Sequence, residues 1–140
     1  MSTIERAERR SRGRGSAGFT LVELLIVVAV IGILTAIGVA VYTTMQQSAR
    51  VAKAQADIRA IATAASSYLA HTGTIPPSLN ALTVTVTNPM GQTGGPFLGT
   101  IPTPPSVGSP PWSAYGYTPN AIAGTFSVTA SGDGTTIVVP

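Results

Sequence analysis

Residues 19–49 read FTLVELLIVVAVIGILTAIGVAVYTTMQQSA. From Leu24 to Tyr42 nineteen residues carry a single polar interruption, Thr35, and no charge occurs from Leu24 through Ala49. At about 1.5 Å per residue, a helix over Leu24–Tyr42 extends roughly 28 Å, close to the hydrocarbon thickness of a bilayer. Arg6, Arg9, Arg10, Arg12 and Arg14 precede the apolar run, and only Arg50 and Lys53 follow closely. The preference of basic residues for the cytoplasmic side leaves the N-terminus inside and sends the C-terminal part across the membrane. One acid, Glu23, lies near the start of the run. An unpaired carboxylate in lipid is costly, so Glu23 is a functional candidate by default. Two simpler readings stand beside it: a glutamate that snorkels to the headgroups, or a first-turn acid favoured by the helix dipole.

The helix continues past the apolar run with a changed character. Val51, Ala54, Ile58, Ile61, Ala65 and Tyr68 recur at steps of three and four, which draws one apolar stripe along a helix. Arg50, Lys53, Gln55, Asp57 and Arg59 lie off it. Lys53 and Asp57, four apart, suit an exposed helix pair. No proline falls between positions 19 and 75, Gly73 suits a C-cap, and Pro76-Pro77 stop any continuation. The pattern predicts one helix over about 19–72, on the order of 80 Å long. A domain of this size cannot bury such a helix, so its first half needs lipid or other copies of itself. His71, the only histidine, sits where a helix-end dipole contact is expected.

Residues 73–111 hold most of the prolines and read as loop, with Val84 and Val86 alternating with threonines as a short edge strand. Residues 112–140 read as β-rich: Trp112, Tyr115 and Tyr117, then Phe126, Val128 and Ala130 at period two, then Thr135 to Val139. Gly124 and Gly132-Asp133-Gly134 punctuate them as hairpin turns. Two or three antiparallel strands packing on the stripe of residues 51–68 give an α+β fold. The three aromatics suit the cover of that helix better than an exposed binding cluster.

Of 140 residues only 9% are charged and 44% are hydrophobic, against about 25% charged in an ordinary soluble domain. The absence of cysteine excludes disulfides, thiolate metal sites and a cysteine nucleophile. With one histidine and three acids after position 18, the composition argues against an enzyme. The net charge of +3 resides wholly in residues 1–18, where five arginines face two glutamates. The remainder balances three cations against three anions, so the basicity implies no nucleic-acid partner. Residues 1–18 show no helical or strand period and read as a targeting leader. A cut after Gly18 would give Phe19 an amine with a pKa near 8, one helical turn from Glu23, and would discard the arginine excess. One event then explains both the buried acid and the polar leader.

Gly18-Phe19-Thr20-Leu21-Val22-Glu23-Leu24-Leu25 closely resembles the processing signature of type IV pilins and the pseudopilins of type II secretion. Ala49 to Pro76, Gly95-Pro96-Phe97-Leu98, Ile101-Pro102 and Ser131-Gly132-Asp133-Gly134 are similar to the major pseudopilin of type II secretion. The resemblance implies a pilin-like head at residues 50–140 on a membrane and assembly helix at 19–49. It implies cleavage after Gly18 by a prepilin peptidase, methylation of the Phe19 amine, and pairing of Glu23 with the amine of an adjacent subunit. It also implies a single-pass inner-membrane subunit, N-terminus cytoplasmic and head periplasmic, that self-associates into a helical filament spanning the periplasm. Its partners would be an assembly platform with its ATPase and minor pseudopilins. Growth of the filament would drive folded proteins across the outer membrane.

A type IV pilus subunit for adhesion, motility or DNA uptake is the alternative within the family, and a signal-anchored periplasmic binding module the alternative outside it. The missing cysteine pair and the short head favour the pseudopilin. Many relatives carry a proline where this chain has Ala40; Gly32 and Gly38 supply flexibility or, with Ala29 and Ala36, close helix–helix approach. The resemblance further implies calcium in the C-terminal loops, with Asp133 as the single available acid there. Calcium prefers several carboxylates, and a glycine-flanked turn aspartate is the simpler reading of Asp133. Packing of the prolines would then stabilise the loop in place of a metal.

Overall fold

The computed structural model describes residues 18–140; the leader expected over 1–18 lies, but for Gly18, outside them. The element order is a long helix, α1 (Leu21–Thr72), then a short 3-10 helix (Leu79–Thr83) and five strands. These are β1 (Val86–Thr87), β2 (Thr93–Gly94), β3 (Gly116–Asn120), β4 (Thr125–Gly132) and β5 (Thr135–Val139). The chain divides into two units, one ending at Val39 and one running Ala40–Pro140, and α1 contributes to both.

In the first unit Thr20 starts α1. Its hydroxyl accepts the Glu23 backbone N–H at 3.1 Å and its carbonyl accepts the Leu24 N–H at 3.2 Å. This is an N-cap, and Thr20-Leu21-Val22-Glu23 has the spacing of a capping box. Every residue from Gly18 to Ala49 is exposed. The polar side chain inside the apolar run satisfies itself: the Thr35 hydroxyl donates to the Ile31 carbonyl at 2.7 Å. An apolar run whose one hydroxyl bonds to the helix's own backbone is compatible with a hydrocarbon surround.

In the second unit the predicted stripe is the buried face of α1. Ala54, Ile58, Ile61, Ala65 and Tyr68 are buried, joined by Ala62 and Ala64, with Val51 packed beside them. They share one core with Leu82, Trp112, Tyr115, Val128 and Ala130. β3, β4 and β5 form an antiparallel meander in that order. Gly132 pairs with Thr135, so Asp133 and Gly134 alone make the β4–β5 turn, with φ of 49° and 70°. Positive φ at both central residues is the type I′ hairpin that an Asp-Gly pair favours.

The segment read as loop contains more structure than its composition suggests. β1 and β2 form a two-stranded antiparallel ribbon. Between them the Asn88 side chain accepts the N–H groups of Met90 and Gln92, an Asx turn that needs no apolar periodicity. Val84, expected in this strand, is exposed and precedes it. Leu82 is fully buried, and its carbonyl accepts both Phe97 N–H and Leu98 N–H at 2.9 Å. One leucine thus ties the 3-10 helix to the Gly95–Leu98 loop.

Candidate assembly site

Glu23 sits in the first turn of α1, among Phe19, Leu21, Val22, Leu24 and Leu25, all exposed. Among the described residues no ion pair to it forms. Gly18 and Phe19 precede the helix, exposed and outside any regular element, and a side chain added at Gly18 would meet open space. The three residues of the signature therefore lie together at the N-terminal end of an apolar helix that exposes its whole circumference to Ala49. This helix is long and apolar enough to cross a membrane. Such a surface needs lipid or protein around it.

The head carries two charge clusters on α1, and the reading of residue spacing found one of them. Lys53 Nζ lies 2.6 Å from Asp57 Oδ2 and also donates to the Thr103 carbonyl at 2.6 Å. The same Asp57 oxygen accepts the Tyr115 hydroxyl at 2.5 Å, which ties the helix to the residue just before β3. Burial, then the hydrogen bond to Asp57, pushes the Tyr115 phenol far above its ordinary range. Burial and nearby Tyr68 push Tyr117 up as well, and its hydroxyl donates to the Pro76 carbonyl at 2.8 Å.

The second cluster surrounds Asp133, whose side chain is only 3% exposed. Oδ2 accepts Arg50 Nε at 2.6 Å and Trp112 Nε1 at 3.0 Å. Oδ1 accepts Arg50 Nη2 at 3.2 Å and the Ser109 N–H at 2.9 Å. Arg50, then Ser109, hold the carboxyl well below the usual carboxylate range, against the opposing effect of burial. The Asp133 N–H donates to the Pro110 carbonyl, and its carbonyl accepts Gln47 Nε2. Calcium takes about six to eight oxygen ligands at roughly 2.3–2.6 Å. Here N–H donors aim at both carboxylate oxygens, one of them a cation, and no cluster of three metal-ligating side chains occurs among the described residues. The donor set around Asp133 does not suit calcium, and the Arg50 ion pair holds the turn there.

His71 lies in the last turn of α1, but the expected end-of-helix contact gives only part of its surroundings. Its ring packs on Phe97 with centroids 5.8 Å apart and lies against Gly94, where a Cβ would strike it. Its Nε2 is buried with no hydrogen-bond partner among the described residues. Trp112 and Tyr115 are buried and Tyr117 is half-buried, as core aromatics should be.

A long N-terminal helix, apolar and unburied in its first half, with its second half covered by a small antiparallel sheet, is the architecture of a pilin-like subunit. Residues 13–39 match the family model of the prokaryotic N-terminal methylation motif, and residues 41–136 match that of type II secretion system (T2SS), protein G. The chain belongs to the protein G family of type II secretion, the major pseudopilins. It is 35% identical over 79 residues to the type II secretion system core protein G of Pseudomonas aeruginosa, covering 56% of each chain. It is 43% identical over 63 residues to fimbrial protein EcpB of Eikenella corrodens, covering 44% of this chain and 40% of that protein. A fimbrial protein of Pseudomonas aeruginosa is 44% identical over 56 residues, covering 40% of this chain and 36% of the other. The chain thus spans about half the length, or less, of the curated relatives it matches. No solved structure matches it.

Proposed function

We propose that this chain is the structural subunit of a type II secretion pseudopilus, with no catalytic role of its own. A prepilin peptidase cuts between Gly18 and Phe19, removing residues 1–18, and methylates the new amine. The subunit then waits in the inner membrane on residues 19–49 with its head, 50–140, in the periplasm. An ATPase-driven platform lifts it into the filament, where Glu23 meets the Phe19 amine of an adjacent subunit. Removal from lipid buries the apolar helix against its neighbours, and the ion pair guides the register. Growth of the filament pushes secreted proteins outward.

The observation that supports this reading most is the joint match of the methylation motif over residues 13–39 and of protein G over residues 41–136. Glu23 in the first turn of an exposed apolar helix gives that match a physical mechanism. A second reading, a type IV pilus subunit, draws on the two fimbrial relatives, whose likeness covers less than half of this chain. The test is Glu23→Leu, followed for processing and assembly separately in the host. Cleavage nearly at wild-type level with filament entry lost or sharply reduced is the expected result. Wild-type assembly by this variant would remove ion pairing as the guide.

A further inference from the structure

We propose that Arg50 takes the place of a bound cation in this head: its guanidinium neutralises Asp133 and closes the C-terminal turn, so the folded head needs no calcium. A buried carboxylate must be paired or metal-bound. Asp133 is buried, and it is the only acid after Asp57. Each of its oxygens accepts two N–H donors, Arg50 Nε and Trp112 Nε1 on one, Arg50 Nη2 and the Ser109 N–H on the other. A carboxylate offers about four lone-pair sites, so all of them are used. An incoming calcium ion would have to displace a planar, permanently charged fork that already meets both oxygens.

The arrangement also does the mechanical work expected of a metal. It joins the middle of α1, through Gln47 and Arg50, to the 109–112 loop and to the β4–β5 turn. The chain is shaped to admit it. A Cβ at Gly132 would fall on the Trp112 ring, and one at Gly108 would crowd both Trp112 and the Asp133 carboxylate. Glycines at these two positions let the backbone close around the ion pair. This inference concerns the folding of the head and stands whether or not the filament reading holds.

Trp112 is the only tryptophan and touches the carboxylate directly, so its fluorescence reports the cluster. The full chain in detergent is melted with excess calcium chloride and with a chelator, following that signal. The same midpoint in both is expected; a midpoint raised by calcium overturns the proposal. Arg50→Gln, Asp133→Asn and the double variant are then melted alongside. Arg50→Gln should lose several degrees, because it leaves a buried carboxylate unpaired, and adding Asp133→Asn should recover part of that loss. Simply additive losses would overturn the pairing. Should Arg50→Gln not fold, the calcium comparison on the wild-type chain still decides.

Discussion

The guanidinium of Arg50, in the middle of α1, meets both carboxylate oxygens of Asp133, at the tip of the β4–β5 turn and 83 positions later in the chain. Among the described residues Arg50 is the one titratable partner of the carboxylate; its other donors, the Trp112 indole and the Ser109 backbone N–H, do not ionise. The folded carboxyl is held below its ordinary range, whereas the unfolded one titrates near 4. The stabilisation is therefore whole above about pH 5 and is lost progressively as pH falls toward the lower folded value. Thermal melts from neutral to acid pH should show this decline in the wild type and a weaker one in Asp133→Asn. Equal slopes would mean that other carboxylates dominate acid unfolding.

The Tyr115 hydroxyl gives Asp57 its second donor beside Lys53. Because burial keeps the phenol protonated through its ordinary range, it remains a neutral donor at any physiological pH. Tyr115→Phe keeps the ring in the core and removes only the hydrogen bond. Loss of about 1–2 kcal/mol in urea unfolding is expected, at the lower end for a bond to a charged acceptor because Lys53 remains. An unchanged urea midpoint would show that Lys53 alone satisfies Asp57.

Gly18 stands in open space before α1, so a larger residue there disturbs no packing. Gly18→Val should leave the head as stable as wild type yet trap the uncut precursor in the membrane, visible as a slower band on a denaturing gel. Recovery of mature protein at normal yield would contradict the proposed cut site.

Much of this molecule was legible in the order of its residues. The helix end at Thr72 followed from Gly73 and the prolines beyond, and the buried stripe from steps of three and four. The Asp-Gly hairpin followed from its glycines. Those signals are local, so spacing alone carries them. The Thr20 cap is equally local, since a threonine three residues before a glutamate is a helix-start pattern. The Arg50–Asp133 pair, the Trp112 donor and the Leu82 anchor were not legible. Each depends on segments brought together only by the fold, and a glycine-flanked aspartate looks the same in sequence whether it binds metal, arginine or water.

In the proposed function, proteolysis at Gly18 creates the cation with which Glu23 pairs. Intact mass measurement of the subunit in sheared, purified filaments tests it most directly. A chain beginning at Phe19 and carrying one added methyl group is the result predicted here. Filaments built from subunits that still carry residues 1–18 would contradict it.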